Sequence, residues 1–134
     1  MKAATAVVLA YRQTIIDLYS GTRTNLNDLN KYATGDLLDA DLRNVQHGLR
    51  DGAGAESAGP VRMSETEVVS VNLANDQVRI RTCVDLSSVE FTEPNGSRSR
   101  GTTGRADYVL SRTGNPGSSW RVARMLVNDQ AAPC

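Results

Sequence analysis

An α+β fold, with N-terminal helices packed on an antiparallel sheet, is what this sequence predicts. Three observations carry the reading. Apolar residues recur three and four apart as far as Leu49, and beyond Pro60 they alternate instead. The helix-like and strand-like stretches are also segregated, not interleaved as in βαβ repeats.

Each element follows from its own residues. Over residues 3–20, Ala3, Val7, Ala10, Tyr11, Thr14, Ile15, Leu18 and Tyr19 form one apolar stripe, stopped at Ser20-Gly21. Asn25 with Asp28 predicts an N-cap and an acidic first turn for a short helix through Leu26, Leu29, Tyr32 and Ala33, ended by Gly35. A third helix opens at Asp36 and runs through Leu42 and Val45 to about Leu49. Residues 51–60, rich in Gly and Ala, predict a flexible connector. Val61 to Leu73 reads as one strand, turned at Ala74-Asn75-Asp76. From Gln77 to Leu86 the alternation is clean, with Val78, Ile80, Thr82, Val84 and Leu86 on one face and Arg79, Arg81, Cys83 and Asp85 on the other. A polar, mobile loop is expected over residues 93–103, where Asn95-Gly96-Ser97 reads as a turn more economically than as a glycosylation sequon. Strands at 105–112 and 119–127, turned by Asn115-Pro116-Gly117, complete a hairpin, so the sheet spans about 61–128 and a tail follows at 129–134. The expected core is Ile15, Leu18, Leu29, Leu42, Val45, Ile80, Val84, Val109, Val122 and Leu126.

The 134 residues suffice for one domain with one core. Fifteen basic residues balance fifteen acidic ones, so there is no global signal for nucleic acid or a membrane surface. Thirteen of the basic residues are Arg, a bias expected of a GC-rich coding genome. Eight of them fall between Arg79 and Arg124, where arginines alternating with apolar residues read as the solvated side of strands. No stretch approaches the roughly 20 apolar residues of a membrane span.

Two cysteines are present, Cys83 in a strand and Cys134 at the last position. They read as one disulfide pinning the tail to a core strand, worth roughly 4 kcal/mol in the chain-entropy treatment and pointing to an oxidising compartment. Two unrelated thiols in a cytosolic protein are the alternative. Residues 1–10 have the look of a secretion signal, but their apolar run continues in helical register, so a helix is preferred. With the cysteines paired, an exporting segment or membrane tether is expected outside residues 1–134.

Three helices, a Gly-rich connector and a four-stranded antiparallel sheet resemble the nuclear transport factor 2-like (cystatin-like) superfamily, over nearly the whole chain. The residues that carry the resemblance are Tyr11 with Tyr19-Ser20-Gly21, the helices holding Leu26 to Tyr32 and Leu37 to Leu49, the strand Val78 to Asp85, and Ser119-Trp120-Arg121-Val122. More narrowly, Cys83-Val84-Asp85, Trp120-Arg121-Val122 and the terminal Cys134 resemble extracytoplasmic domains of actinobacterial lipoproteins and membrane-anchored proteins. The resemblance implies a curved sheet closed as a cone over the helices; a cystatin-type or other α+β sandwich is the second choice.

In enzymes of that superfamily an Asp or Glu base sits inside the cone with a Tyr or His partner. Here the possible members are Asp85, Asp107, Tyr32, Tyr108 and the single His47. Asp85 shares its face with Arg79 and Arg81 and is expected to pair with an arginine; His47 reads as a solvated helix-end residue. No metal cluster, phosphate loop or nucleophile elbow is recognisable, so neither metal nor cofactor is expected. Trp120, Phe91 and the tyrosines read as core or rim. The leading functional expectation is a non-catalytic extracytoplasmic binding or scaffold domain tethered to the cell envelope. Resemblance extends to secretion and conjugation scaffolds and to lipid-import accessories. Its partner would be an envelope protein or a small apolar ligand, and self-association is compatible with the sequence. A small isomerase, dehydratase or cyclase using Asp85, Tyr108, His47 and Tyr32 is the alternative.

Overall fold

The computed structural model describes residues 2–20, 25–50, 55–112, 119–127 and Cys134. Helix α1 spans Lys2–Ser20 and α2 spans Gly35–Arg50, with a 3-10 turn at Leu26–Lys31 between them. Asn25 caps that turn, its side chain accepting the Asn27 N–H at 3.0 Å. Seven strands follow: β1 (Glu56–Ala58), β2 (Arg62–Asn72), β3 (Gln77–Asp85), β4 (Glu90–Thr92), β5 (Arg98–Arg100), β6 (Thr103–Ser111) and β7 (Arg121–Val127). The main sheet has the order β2-β3-β6-β7 and the small one β1-β4-β5, and every named pairing is antiparallel.

Register assigns the faces of the main sheet. Val78 opposes Leu110, Ile80 opposes Tyr108 and Thr82 opposes Ala106, and this face packs with Val8, Tyr11, Leu18, Leu29 and Val45 in the core. Tyr11 donates its hydroxyl to Asp41 Oδ2 at 2.5 Å and so joins α1 to α2. Thr82 is buried yet satisfied, bonded to the Thr66 hydroxyl at 2.8 Å and to the Ser64 carbonyl at 3.2 Å. At the β7 edge of the sheet, the Val122 N–H donates to the Tyr32 carbonyl at 2.7 Å, and the Thr34 N–H donates back to Val122 at 3.0 Å. The segment before α2 is thereby stitched to β7. Trp120 is buried beside this junction with the Arg112 guanidinium 4.6 Å from its ring centre.

Several expectations need correction. The sequence predicts four strands, but three further short ones form a second sheet. Within the expected connector, residues 51–54 lie outside the described ones, whereas Glu56–Ala58 is β1. Its order comes from α1: the Ser57 hydroxyl donates to the Ile16 carbonyl at 3.0 Å, and the Gln13 amide spans the Gly59 carbonyl and the Val61 N–H at 3.0 and 2.8 Å. The loop expected over 93–103 contains the Asn95-Gly96 turn but continues as β5, which pairs with β4. Leu73 leaves the strand for a 3-10 turn and is 81% exposed.

Of the expected core, Leu18, Leu29, Val45, Ile80, Val84, Val109 and Val122 are buried, and Ile15 and Leu42 are half-buried against the cluster. Leu126 is not part of it. A register shift between Val109 and Leu110 leaves Ala123 unpaired, so Val122 and Met125 face inward and Leu126 opposes Asp107 on the outer face.

Gly59 marks a close approach between the end of β1 and the segment leading into β4. Its φ is +135°, and a Cβ there would lie 2.3 Å from the Ser88 carbonyl oxygen. Gly59→Ala should cost about 2–4 kcal/mol, since it adds backbone strain to a clash that only main-chain movement relieves. Gly104→Ala, with nothing within 4 Å of its added methyl, should change stability by less than about 1 kcal/mol. Urea unfolding of the two variants checks both values.

Candidate functional site

Three places combine polar chemistry with shape: a pocket on the inner face, a charge cluster on the outer face, and a groove between α1 and β2.

The inner pocket is a cavity of about 190 Å³ walled by Val84, Leu86, Ala106, Tyr108 and Met125, with Arg12 reaching in from α1. Burial raises the Tyr108 pKa and the nearby Arg12 charge partly offsets this, so the hydroxyl stays protonated at neutral pH. Tyr11 is raised in the same way, by burial first and then by its bond to Asp41. Asp41 is itself raised by burial, with the Tyr11 bond and the Arg12 charge opposing.

The outer face is organised by Asp107. Its carboxylate is 2% exposed and receives Arg79 Nε at 2.7 Å and Arg81 Nε at 2.8 Å, with further contacts from both guanidinium ends. Burial by itself would raise the Asp107 pKa; the hydrogen bonds and charges of Arg81 and Arg79 outweigh it, and the net shift is downward. Such a carboxylate is a poor base near neutral pH. Cys83 lies on the same face, bonded to Cys134 with a Cα–Cα distance of 5.8 Å. Glu65 leans over that bond, one oxygen 3.1 Å from Cys83 Sγ and 2.9 Å from Arg105. These three side chains have the spacing of a metal site, but bonded sulfurs offer no thiolate to an ion.

The residues named for an enzyme are not assembled. Asp85 sits on the outer face at the end of β3, accepting the Ser87 N–H at 2.8 Å and the Thr103 hydroxyl at 3.1 Å; these bonds, Ser87 first, lower its pKa. The arginines expected to hold it hold Asp107 instead, because Arg81 is directly opposite Asp107 in register. Tyr108 is on the inner face, His47 is exposed on α2, and Tyr32 is the C-cap of the 3-10 turn.

Sequence reasoning missed the third place. Among the described residues Leu9, Val68, Val69, Val71 and Leu73 are the exposed large apolar ones, and all belong to α1, β2 or the turn just after it. Register places Met63, Val68 and Val71 opposite Val84, Ile80 and Val78, hence on the inner face. Their spacing is not that of a regular strand. Two register shifts, one flanked by Glu65 at φ +51°, keep them on the same side. The strip runs into a groove of about 450 Å³ lined by Lys2, Thr5, Ala6, Leu9, Met63 and Thr66. The run Val68-Val69-Ser70-Val71 was the available signal.

No protein-family model matches the chain, and no curated protein sequence does. Among solved structures it is similar to the intermembrane-space region of the chloroplast protein ARC6, at 16% identity and a TM-score of 0.65, covering 96% of this chain and 98% of that one. It is also similar to Aln2 from a Streptomyces species, at 13% identity and TM-score 0.52, covering 93% and 90%. A structure from Catenulispora acidiphila matches at 12% identity and TM-score 0.56, covering 95% and 91%. At such identities the likeness shows a shared fold alone.

Asp107→Asn should remove about 2 kcal/mol at pH 7, a value discounted because the two arginines are 40% and 31% exposed. The native carboxylate has a lowered pKa, so its stabilisation is present above about pH 4 and is lost as pH falls through the folded value. Urea unfolding between pH 7 and pH 3 should therefore show the gap between native and variant chains closing on acidification. Reduction, or Cys134→Ser, should lower stability by about 3–4 kcal/mol, as expected for a cross-link over 51 positions. Denaturant midpoints with and without reductant measure that loss.

Proposed function

We propose that this is a non-catalytic extracytoplasmic domain of a membrane- or lipid-anchored envelope protein, which works by contact along its α1–β2 edge. One observation carries the reading: every large apolar side chain exposed among the described residues lies on α1, β2 or the turn after β2, and register sets Val68 and Val71 beside buried residues of β3. The disulfide fits an oxidising compartment. No helix of the described residues is long and apolar enough to cross a membrane, so in this reading the tether is a separate segment. The likeness to the intermembrane-space region of ARC6 supports an envelope setting, and helices followed by an antiparallel sheet is the order expected of a nuclear transport factor 2-like domain. A secretion or transport accessory is the role that fits such a domain.

The occupant of the edge is an apolar segment of an envelope protein. It docks by side chains and not as an added strand, because the two register shifts in β2 interrupt the row of free backbone groups that a strand would need. A photoreactive amino acid placed at Val69 or Val71 in the source cells should give one discrete heterologous adduct, while the same group at Arg98 gives none. Adducts only of twice the chain's mass, or none from either edge position, would overturn the reading.

A further inference from the structure

The inner pocket is distinct from the α1–β2 edge and has a chemistry of its own. Its walls are mostly apolar, and two arginines, Arg12 and Arg105, border it. Arg12 Nε is buried and has no hydrogen-bond partner, and among the described residues Arg12 forms no ion pair. The Asp41 carboxylate, whose charge couples to that of Arg12, is engaged by the Tyr11 hydroxyl and forms no ion pair with the guanidinium. Arg105 Nε is likewise buried without a partner, but its Nη2 is paired with Glu65 at 2.9 Å, whereas among the described residues Arg12 has no such ion pair. Tyr108 donates no hydrogen bond to any described residue, and its ring forms part of the wall.

A buried guanidinium nitrogen without an acceptor is costly, and a planar fork beside apolar walls is matched by a carboxylate carried on an apolar body. Size narrows the class further. The cavity measures about 190 Å³, somewhat more than the roughly 150 Å³ that admits a benzene ring. We propose that this pocket binds a small apolar monocarboxylate of about the size of benzoate, with Arg12 as its anchor and Tyr108 as a second donor. Val84, Leu86, Ala106 and Met125 would enclose the apolar body. With Arg105 paired to Glu65, Arg12 alone is left to pair with an anion, so dianions should be rejected. This inference does not depend on the edge being a docking surface.

Titration of the full chain with benzoate, benzamide and phthalate at constant ionic strength, followed by calorimetry and by amide chemical shifts, tests it. Benzoate should bind at least about tenfold more tightly than benzamide or phthalate, with shifts centred on Ala106, Tyr108 and Met125. Arg12→Gln should abolish the preference for benzoate over benzamide; Val71→Asp should leave it intact even if partner contact is lost. Equal affinity for benzoate and benzamide, shifts centred elsewhere, or no benzoate binding up to about 10 mM would each overturn the proposal. Should Arg12→Gln not fold, the shift map and the benzoate-to-benzamide ratio of the unaltered chain decide the matter alone.

Discussion

Covering the inner face of a four-stranded sheet with two helices is the constraint on which the rest of this structure depends. Strands lie about 4.8 Å apart and a helix is about 10 Å wide, so each helix can shield about two strands. Here α1 packs chiefly on β1 and also touches β7 and β2, and α2 packs on β7. Only the Met63 end of β2 is reached by α1, and the rest of its inner face is left uncovered. Its inner face carries Met63, Val68 and Val71 all the same, because the two register shifts hold them beside the buried residues of β3. The exposed strip is therefore a consequence of how the helices are shared out.

The outer face solves a different problem. A sheet face without a helix would ordinarily be polar, but Asp107 and Cys83 are buried there. Each is covered by groups drawn from elsewhere in the chain. Arg79 and Arg81 lay their guanidinium groups on Asp107, and Cys134 closes onto Cys83 beside Glu65 and Arg105. The carboxylate is desolvated but doubly paired, the arrangement in which a buried charge is tolerable. The charges around Asp107 are committed to cross-strand bonding, which leaves its carboxylate no freedom to act as a base.

The inner pocket lies where those two solutions meet. Tyr11 commits its hydroxyl to Asp41 and so locks α1 against α2, while the next residue, Arg12, lies near Tyr108 and leaves its Nε without a hydrogen-bond partner. Adjacent positions on one helix thus divide the work, one holding the fold and the other left available.

The order of elements was legible because periodicity is local. The shift from three-and-four spacing to alternation at Pro60, the Asn25 cap, the Gly35 break and the faces of residues 77–85 are properties of neighbours in the chain, and they recur in α1, α2, β2, β3, β6 and β7. The pairing of Cys83 with Cys134 was legible for the same reason of simplicity, since no other sulfur competes. What the tertiary structure decided is everything that needs a distant partner. Glu56–Ala58 is a strand because Gln13 and Ile16 bond to its surroundings, and Arg98–Arg100 is one because Glu90–Thr92 lies beside it. Asp107 and not Asp85 takes the arginines because cross-strand register, invisible in one strand, sets them opposite each other. Bulges at Glu65 and Ala123 change which side chains face inward, and a one-residue insertion cannot be read from alternation that it interrupts. The solitude of Arg12 is decided by the same rule: whether a charge has a partner depends on the fold that surrounds it.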